Sequence, residues 1–391
     1  MANIAFFMHS FPDGGIARVI MNLAQPLAER GHRTFLFVHA LYEDMIPEGE
    51  LPVTYIRLPY NIRNKGNYPT IIEAVKQHNI EVFFAAGFYA DYLKRLKQEK
   101  VCKLVYALHG MPLYENLMYE YILKQPKKNS ISAKLKHKLL TIPKLKLGYY
   151  DRKVLKEYKR KYRNTDAYGV LFDSYGEMVA KAIGVELESS HIYTLSNPLH
   201  EVEYNPAECR REKRIVYVGR LGAWDKQLWR LLAVWERLHL AFPDWELNFV
   251  GDGEDRGNLE NIVATKQLQR VNFLGWHNNP SEFFKTSEIM CMTSIVEGCP
   301  MALLEAQQCG CATIAFNCSS GVEEMLSPNW KSGVYVPNGD IEAYAEALSR
   351  LMSDEALRRK IQSNGPINVK RFSVEKSVEQ YDALIKKLTN K

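Results

Sequence analysis

Two α/β domains, each a parallel sheet covered by helices, are expected from two features of this chain of 391 residues. Strand-like apolar runs alternate with helix-like apolar stripes in two separate series, and a polar, proline-containing stretch divides the series. Length agrees, since ordinary domains hold roughly 100–200 residues. A composition of 46% apolar and 25% charged residues supports large cores and excludes disorder, collagen-like repeats and disulfide-stapled miniproteins.

The first series opens at Asn3–Met8, a buried-strand pattern, followed by the glycine-containing turn His9–Gly15. Ile16, Val19, Ile20, Leu23, Ala24 and Leu27 then recur at helical spacing, and Gly31 is a stop signal. Thr34–Val38, Val82–Ala85, Leu104–Leu108 and Gly169–Phe172 read as further strands. Ser196–Lys213, with Pro198 and Pro206, reads as the linker. The second series starts at Ile215–Val218, adds a helix striped by Leu228, Leu231, Leu232, Trp235 and Leu238, and continues through Leu247–Val250, Val271–Leu274, Ile289–Thr293 and Ala312–Phe316. At the end, Val378, Tyr381, Ile385 and Leu388 predict an amphipathic helix that needs an apolar surface to cover. Ligands of doubly wound sheets bind beyond the carboxyl ends of the strands, so the two domains are expected to face a central cleft.

Charge is unevenly placed. Residues 124–163 hold 15 Lys or Arg against Asp151 and Glu157, a charge of +13, although the whole chain carries only +6. Within that segment Ile131, Leu135, Leu139, Ile142 and Leu145 recur at helix-like intervals among Lys134, Lys136, Lys138, Lys144 and Lys146, with Pro143 expected to break the run. This basic amphipathic pattern suits an anionic membrane surface; a solvated helical insertion is the plainer alternative. Nucleic acid is not expected as a partner, because no RNP, zinc-finger or helix-turn-helix pattern accompanies the charge. No run reaches the ~20 apolar residues of a membrane span, and Ile4–Met8 lacks the basic flank of a secretion signal. The expected location is cytoplasmic, peripheral on the inner face of the membrane. The seven cysteines are an odd count without zinc spacing, so neither metal nor disulfide is expected.

The chemistry concentrates in Ser294–Glu305, where a strand ends, a loop turns and Pro300 is expected at the first helical position. Amides of Cys299, Met301, Ala302 and Leu303 at such a helix start suit an anionic phosphate. Glu297 precedes the helix and Glu305 lies a turn into it; one is expected to accept from ribose hydroxyls and the other to face a sugar. Arg220 and Lys226 follow the strand Ile215–Val218, giving two cations where a diphosphate could sit. In the first series Gly14-Gly15 precedes a helix N-terminus, and His109-Gly110 ends a strand. Surface charge in loops is the plain alternative for the cations, and a structural role for the histidine.

Taken in order, Val218-Gly-Arg-Leu221 with Lys226, Val250-Gly-Asp-Gly253, Phe273-Leu-Gly275 and Glu297-Gly-Cys-Pro-Met-Ala-Leu-Leu-Glu305-Ala resemble the retaining family-4 glycosyltransferases of GT-B fold. Gly14-Gly-Ile-Ala-Arg18-Val, Arg30-Gly-His32, His109-Gly110 and Ser196-Asn-Pro198 extend the resemblance into the first half. It implies an acceptor-side Rossmann-like domain over 1–200 with a basic insertion at 111–163, a nucleotide-sugar domain over 201–370, and a helix over 371–391 packing back on the first. It also implies diphosphate binding by Arg220 and Lys226, ribose binding by Glu305, catalytic positions near the donor sugar for Glu297 and His109, and phosphate approach at Gly14 and Gly15. One departure stands out: where the family carries glycine after the lysine, this chain has Gln227.

The expected activity is that of a retaining hexosyltransferase, moving a sugar from a nucleotide-diphosphate sugar, a UDP-sugar, to a glycan or lipid-linked glycan acceptor in cell-surface polysaccharide or lipopolysaccharide assembly. Apart from the donor substrate, no cofactor and no metal are expected. The alternatives are a nucleotide-sugar epimerase of the same architecture and a noncatalytic membrane-associated protein that binds nucleotide sugar. A dinucleotide-dependent oxidoreductase fares worse, since Gly251-x-Gly253 followed by Gly257 misses G-x-G-x-x-G by one residue.

Overall fold

The computed structural model describes residues 1–12, 14–46, 51–61, 64–87, 90–124, 137–206 and 209–391. The chain divides into two compact units: Met1–Pro198 with Val374–Lys391, and Leu199–Ser373. Each is an α/β unit built on one all-parallel sheet, as the alternation of strand and helix patterns requires.

The first unit runs β1 (Asn3–Phe11), α1 (Gly15–Glu29), β2 (Arg33–Leu41), β3 (Val53–Arg57), α2 (Tyr68–Gln77), β4 (Val82–Ala86), α3 (Ala90–Glu99), β5 (Lys103–Ala107), α4 (Tyr114–Lys124), α5 (Ile142–Lys146), α6 (Tyr149–Arg163), β6 (Ala167–Val170), α7 (Asp173–Ile183) and β7 (Ile192–Thr194). Its sheet order is β3-β2-β1-β4-β5-β6-β7. Central strands are buried on both faces, which is why β1 and β4 read as continuous apolar runs rather than alternations. Gly31, at φ 86°, ends α1 where the His32 amide turns back to the Leu27 carbonyl at 3.0 Å.

In the second unit β8 (Glu212–Val218), α8 (Trp229–Leu238), β9 (Glu246–Val250), α9 (Arg256–Thr265), β10 (Val271–Gly275), α10 (Ser281–Thr286), β11 (Ser287–Met292), α11 (Met301–Gln308), β12 (Ala312–Asn317), α12 (Ser320–Leu326), β13 (Val334–Pro337), α13 (Ile341–Ser353) and α14 (Glu355–Val369) follow in order. The sheet is β10-β9-β8-β11-β12-β13. Its core joins the inner faces of β8, β9 and β12 to Trp235, Trp245 and Tyr344.

The last helix, α15 (Val374–Thr389), belongs to the first unit. Tyr381 packs on Phe6 and Phe84, and Val378, Leu384 and Ile385 are buried in the same core. Asp382 pins the helix by pairing with buried His32 at 2.9 Å, and accepts as well from Lys386 of the same helix at 2.8 Å. Burial would raise this carboxyl, but those two partners outweigh it and hold it below its ordinary value.

Within the basic insertion, Ile131, Leu135, Lys134 and Lys136 lie outside the described residues. Residues 137–146 and 149–163 are helical, with a turn at Leu147 and Gly148 between them. Pro143, expected to break the run, does not: it sits in the first turn of α5, where a missing N–H leaves no bond unmade. The inner face of α6 buries Val154, Tyr158 and Lys161. Among the described residues, no helix is long and apolar enough to cross a membrane.

Candidate active site

The strand order of the second unit reverses at β8 and β11, so the loops after these strands open onto the same carboxyl edge. Two bonds tie them together: the Ile295 amide donates to the Asp225 carbonyl at 2.9 Å, and the Thr293 hydroxyl to the Lys226 carbonyl at 3.4 Å. The loop after β9 packs equally close, through Gly219 N–H to the Val250 carbonyl and Leu221 N–H to the Asp252 carbonyl, both 2.9 Å. A Cβ at Gly251 would stand 2.0 Å from the Gly219 carbonyl oxygen, and one at Gly253 2.5 Å from that of Leu221. The Gly251-Asp-Gly253 pattern is therefore set by backbone meeting backbone.

Arg220, Lys226 and Glu297 come together here around a residue that sequence reasoning passed over, Asp225. Arg220 donates to both Asp225 oxygens at 2.8 Å and to both Glu254 oxygens at 2.8 and 3.1 Å. Lys226 Nζ lies 2.7 Å from Glu297 Oε1 and 3.7 Å from Asp225 Oδ2. Lys226 and Glu297 are mostly withdrawn from solvent, at 20% and 12% side-chain exposure, while Arg220 keeps 48%. Burial works against both cations, but their carboxylate partners prevail and hold each above its ordinary pKa. Both stay charged at neutral pH. Asp225 adjoins Lys226 in sequence, a signal that was available; Glu254 lies 34 residues from Arg220 and gave none.

Gln227, at the position where the resembled family carries glycine, has φ 44°. A side chain in this left-handed region costs roughly 1–2 kcal/mol, which explains the preference for glycine. Here the amide of Gln227 donates to the Trp224 carbonyl at 3.2 Å.

At α11 the structure corrects the expected register. Pro300 is the capping residue, with extended backbone at ψ 94°, and Met301 is the first helical residue. The Leu303 amide donates to the Pro300 carbonyl at 2.9 Å and its side chain is fully buried, so Leu303 is committed to the protein itself. Met301 and Ala302 are the first-turn positions whose amides precede the intrahelical ladder. Cys299 lies just before the cap, and Glu305 one turn into the helix, partly buried. The nearby Cys318 thiol is pushed up to about 12 by burial and by the Glu297 charge, so it is an inert thiol.

Gly14, Gly15 and His109 belong to the first unit. Gly14 caps α1 at φ 90°, a conformation suited to glycine, and Gly15 is the first residue of the helix. His109 follows β5, with Nδ1 3.4 Å from Asn197 Oδ1. Together with Ile16, Ala86, Ala107 and Tyr381 it lines a cavity of about 10 Å³, room for one water and not for a sugar. Burial pushes its imidazole down to about 4, so at neutral pH His109 is uncharged and can offer a hydrogen bond but no positive charge.

Known proteins resemble both units. The model for Glycosyltransferase Family 4 matches residues 13–185, and that for Glycosyl transferases group 1 matches residues 205–367. An amylovoran biosynthesis glycosyltransferase of Erwinia amylovora is 30% identical over 176 residues, covering 43% of this chain and 48% of that protein. The GalNAc-alpha-(1->4)-GalNAc-alpha-(1->3)-diNAcBac-PP-undecaprenol alpha-1,4-N-acetyl-D-galactosaminyltransferase of Campylobacter jejuni is 24% identical over 399 residues, covering 100% of both chains. An uncharacterized glycosyltransferase of Haemophilus influenzae is matched over 56% of its own length, so the chain spans about half the length of this relative and of the Erwinia protein. Among solved structures, Anabaena HepE in complex with UDP and glucose superposes with a TM-score of 0.72 at 16% identity, covering 99% of this chain and 100% of that one. With a transferase family model on each unit and this fold beneath both, the chain belongs to the family-4-type glycosyltransferases of GT-B fold.

Proposed function

We propose that the chain transfers a hexosyl group from a UDP-sugar to a hydroxyl of a glycan or lipid-linked glycan, with retention of anomeric configuration, in assembly of cell-surface polysaccharide or lipopolysaccharide. The observation that carries this reading is the paired cations Arg220 and Lys226, held at the reversal point of the second sheet. As the bond between sugar and diphosphate lengthens, negative charge grows on the diphosphate, and two fixed cations stabilise it without reorganising. The amides of Met301 and Ala302 add the partial charge of a helix start. Glu305 serves the ribose hydroxyls. Glu297, the partner of Lys226 without ligand, meets the positive charge that develops on the sugar once phosphate takes over the lysine. The departing phosphate oxygen takes the acceptor proton on the same face, which gives retention without a protein nucleophile. The cations of the chain itself carry the charge stabilisation, so transfer proceeds without a metal.

His109 and the Gly14-Gly15 turn belong to the acceptor-side unit, with neutral His109 offering a hydrogen bond to a sugar hydroxyl. Both family models are transferase models, which favours transfer over epimerisation or silent binding. UDP-glucose, UDP-galactose and their N-acetyl counterparts, each incubated with a polyprenyl-diphosphate-linked sugar in the presence of EDTA, test the proposal. Release of UDP coupled to an elongated, α-linked product is expected; conversion of donor without acceptor, or a product of inverted configuration, refutes it.

A further inference from the structure

We propose that the helices spanning 137–163 form a docking face for an anionic lipid bilayer. The described residues 137–163 alone carry 10 Lys or Arg against two acids. Large apolar side chains stand in solvent among them: Leu139 is 61% exposed, Leu147 70% and Tyr149 49%. Lys138, Lys144, Lys146, Arg152, Lys153 and Lys156 are exposed as well. Lys144 Nζ lies 5.6 Å from the centre of the Tyr149 ring, so cation and apolar group share one patch. Isolated apolar residues on a surface need no explanation, and neither does a solvated run of lysines. The combination of protruding leucines and a tyrosine with a dense cationic surround matches a bilayer interface, where acyl chains take the leucines, the headgroup region takes the ring, and lipid phosphates meet the lysines. Nucleic acid would satisfy the charge but leave Leu139 and Leu147 without a role.

The part of this face carried by α6, with exposed Tyr149, Arg152, Lys153 and Lys156, is backed by a firmly attached opposite side. Lys161 Nζ donates to Tyr106 Oη of β5 at 2.9 Å. Tyr158 Oη accepts from the Leu113 amide at 2.9 Å and donates to Glu115 at 3.1 Å. Leu113 sits at φ 61°, a backbone state that needs support of this kind. Tyr119 of α4 stacks on Tyr150 of α6 at 5.1 Å, completing the attachment. α6 is thereby fixed to the loop that begins at His109, so a protein held at the bilayer through this face presents that loop beside it, where a lipid-linked acceptor would arrive.

Co-sedimentation of the full chain with vesicles tests the proposal, and it reads binding without turnover, so its failure leaves the transferase reading standing. Vesicles of equimolar phosphatidylglycerol and phosphatidylcholine should bind the protein and pure phosphatidylcholine should not. The double variant Leu139→Glu, Leu147→Glu should lower partition by about tenfold or more, and the triple variant Lys138→Glu, Lys144→Glu, Lys146→Glu should abolish it. All five side chains are exposed, so unchanged circular dichroism and melting are expected for both variants. Equal binding to neutral vesicles, full binding by either variant, or tight binding of an RNA oligonucleotide that is indifferent to the leucine substitutions would overturn it.

Discussion

Replacing Glu297 by Gln should make UDP bind more tightly while making the enzyme slower. Without ligand, the Lys226 ammonium is engaged by Glu297 at 2.7 Å, and a diphosphate has to displace that carboxylate. Two unit charges about 4 Å apart attract by about 4 kcal/mol at an effective dielectric constant of about 20, before desolvation is subtracted. Measured pairs give 0.2–1 kcal/mol when exposed and about 3–5 kcal/mol for loss of one partner when buried. At 20% and 12% exposure the pair falls between these, and Asp225, 3.7 Å from Lys226, remains as a second counter-ion. Competition relieved by Glu297→Gln is then about 1–2 kcal/mol, or roughly 5–30-fold in the Kd of UDP. UDP is the right probe because it lacks the sugar, so any contact between Glu297 and the sugar drops out. Turnover should fall by about 10²-fold or more, since the developing positive charge loses its carboxylate. Titration calorimetry with UDP and steady-state kcat on the same preparation measure both effects. Weaker UDP binding with unchanged kcat would refute the assignment of Glu297 as both counter-ion and catalytic group.

Arg220→Ala should lower kcat/KM by about 10²-fold or more yet shift Tm by only about 4 °C or less, because its guanidinium is 48% exposed while the proposed phosphate contacts would be charge-assisted; a large Tm loss with proportionate activity loss would make it a structural residue. Glu305→Ala should raise the KM for donor more than it lowers kcat, as loss of ribose contacts predicts, and the reverse pattern would place it at the reacting centre. Asp382→Asn should destabilise the protein at pH 7. A carboxyl held below its ordinary value stabilises the fold above that value and stops doing so as pH falls through it, so the gap between variant and wild type in urea melts should close below about pH 4; a gap independent of pH would show that packing, not charge, fixes α15.

Burial on both faces made most of the strands readable. β1, β2, β4, β5, β8, β9, β11 and β12 are long apolar runs because helices cover each side of a parallel sheet. The strands that escaped sequence reasoning, β3, β7 and β13, are all at sheet edges. β7 and β13 are short, as in Ile192-Tyr-Thr194, and β3 has no fully buried residue, so neither a continuous apolar run nor alternation marks them. Pro143 and Pro300 show a second limit. A proline announces a helix boundary but not on which side of it the proline falls, and the structure places one inside the first turn and the other just before it.

The cations of the site were legible because each follows a strand end; their counter-ions were not, because pairing is decided by the fold. Glu254 reaches Arg220 only because the Leu221 amide bonds to the Asp252 carbonyl, bringing the loops after β8 and β9 together. Two positive charges thereby face three carboxylates, Asp225, Glu254 and Glu297, and one of these, Asp225, touches both cations. A carboxylate that spans both cations marks out a distance that linked phosphate oxygens can also span. On the proposed function, nucleotide binding at this site is an exchange of acidic partners, in which the anion must outcompete the protein's own carboxylates. Asp225 also anchors the loops through its backbone, by accepting from Ile295, whereas Glu254 is more exposed and reaches the cluster through its side chain. The two cations are thus kept charged, positioned and mutually screened without a ligand, an arrangement that lets like charges sit close together without repelling each other out of place, as gripping one diphosphate would require under the proposed function.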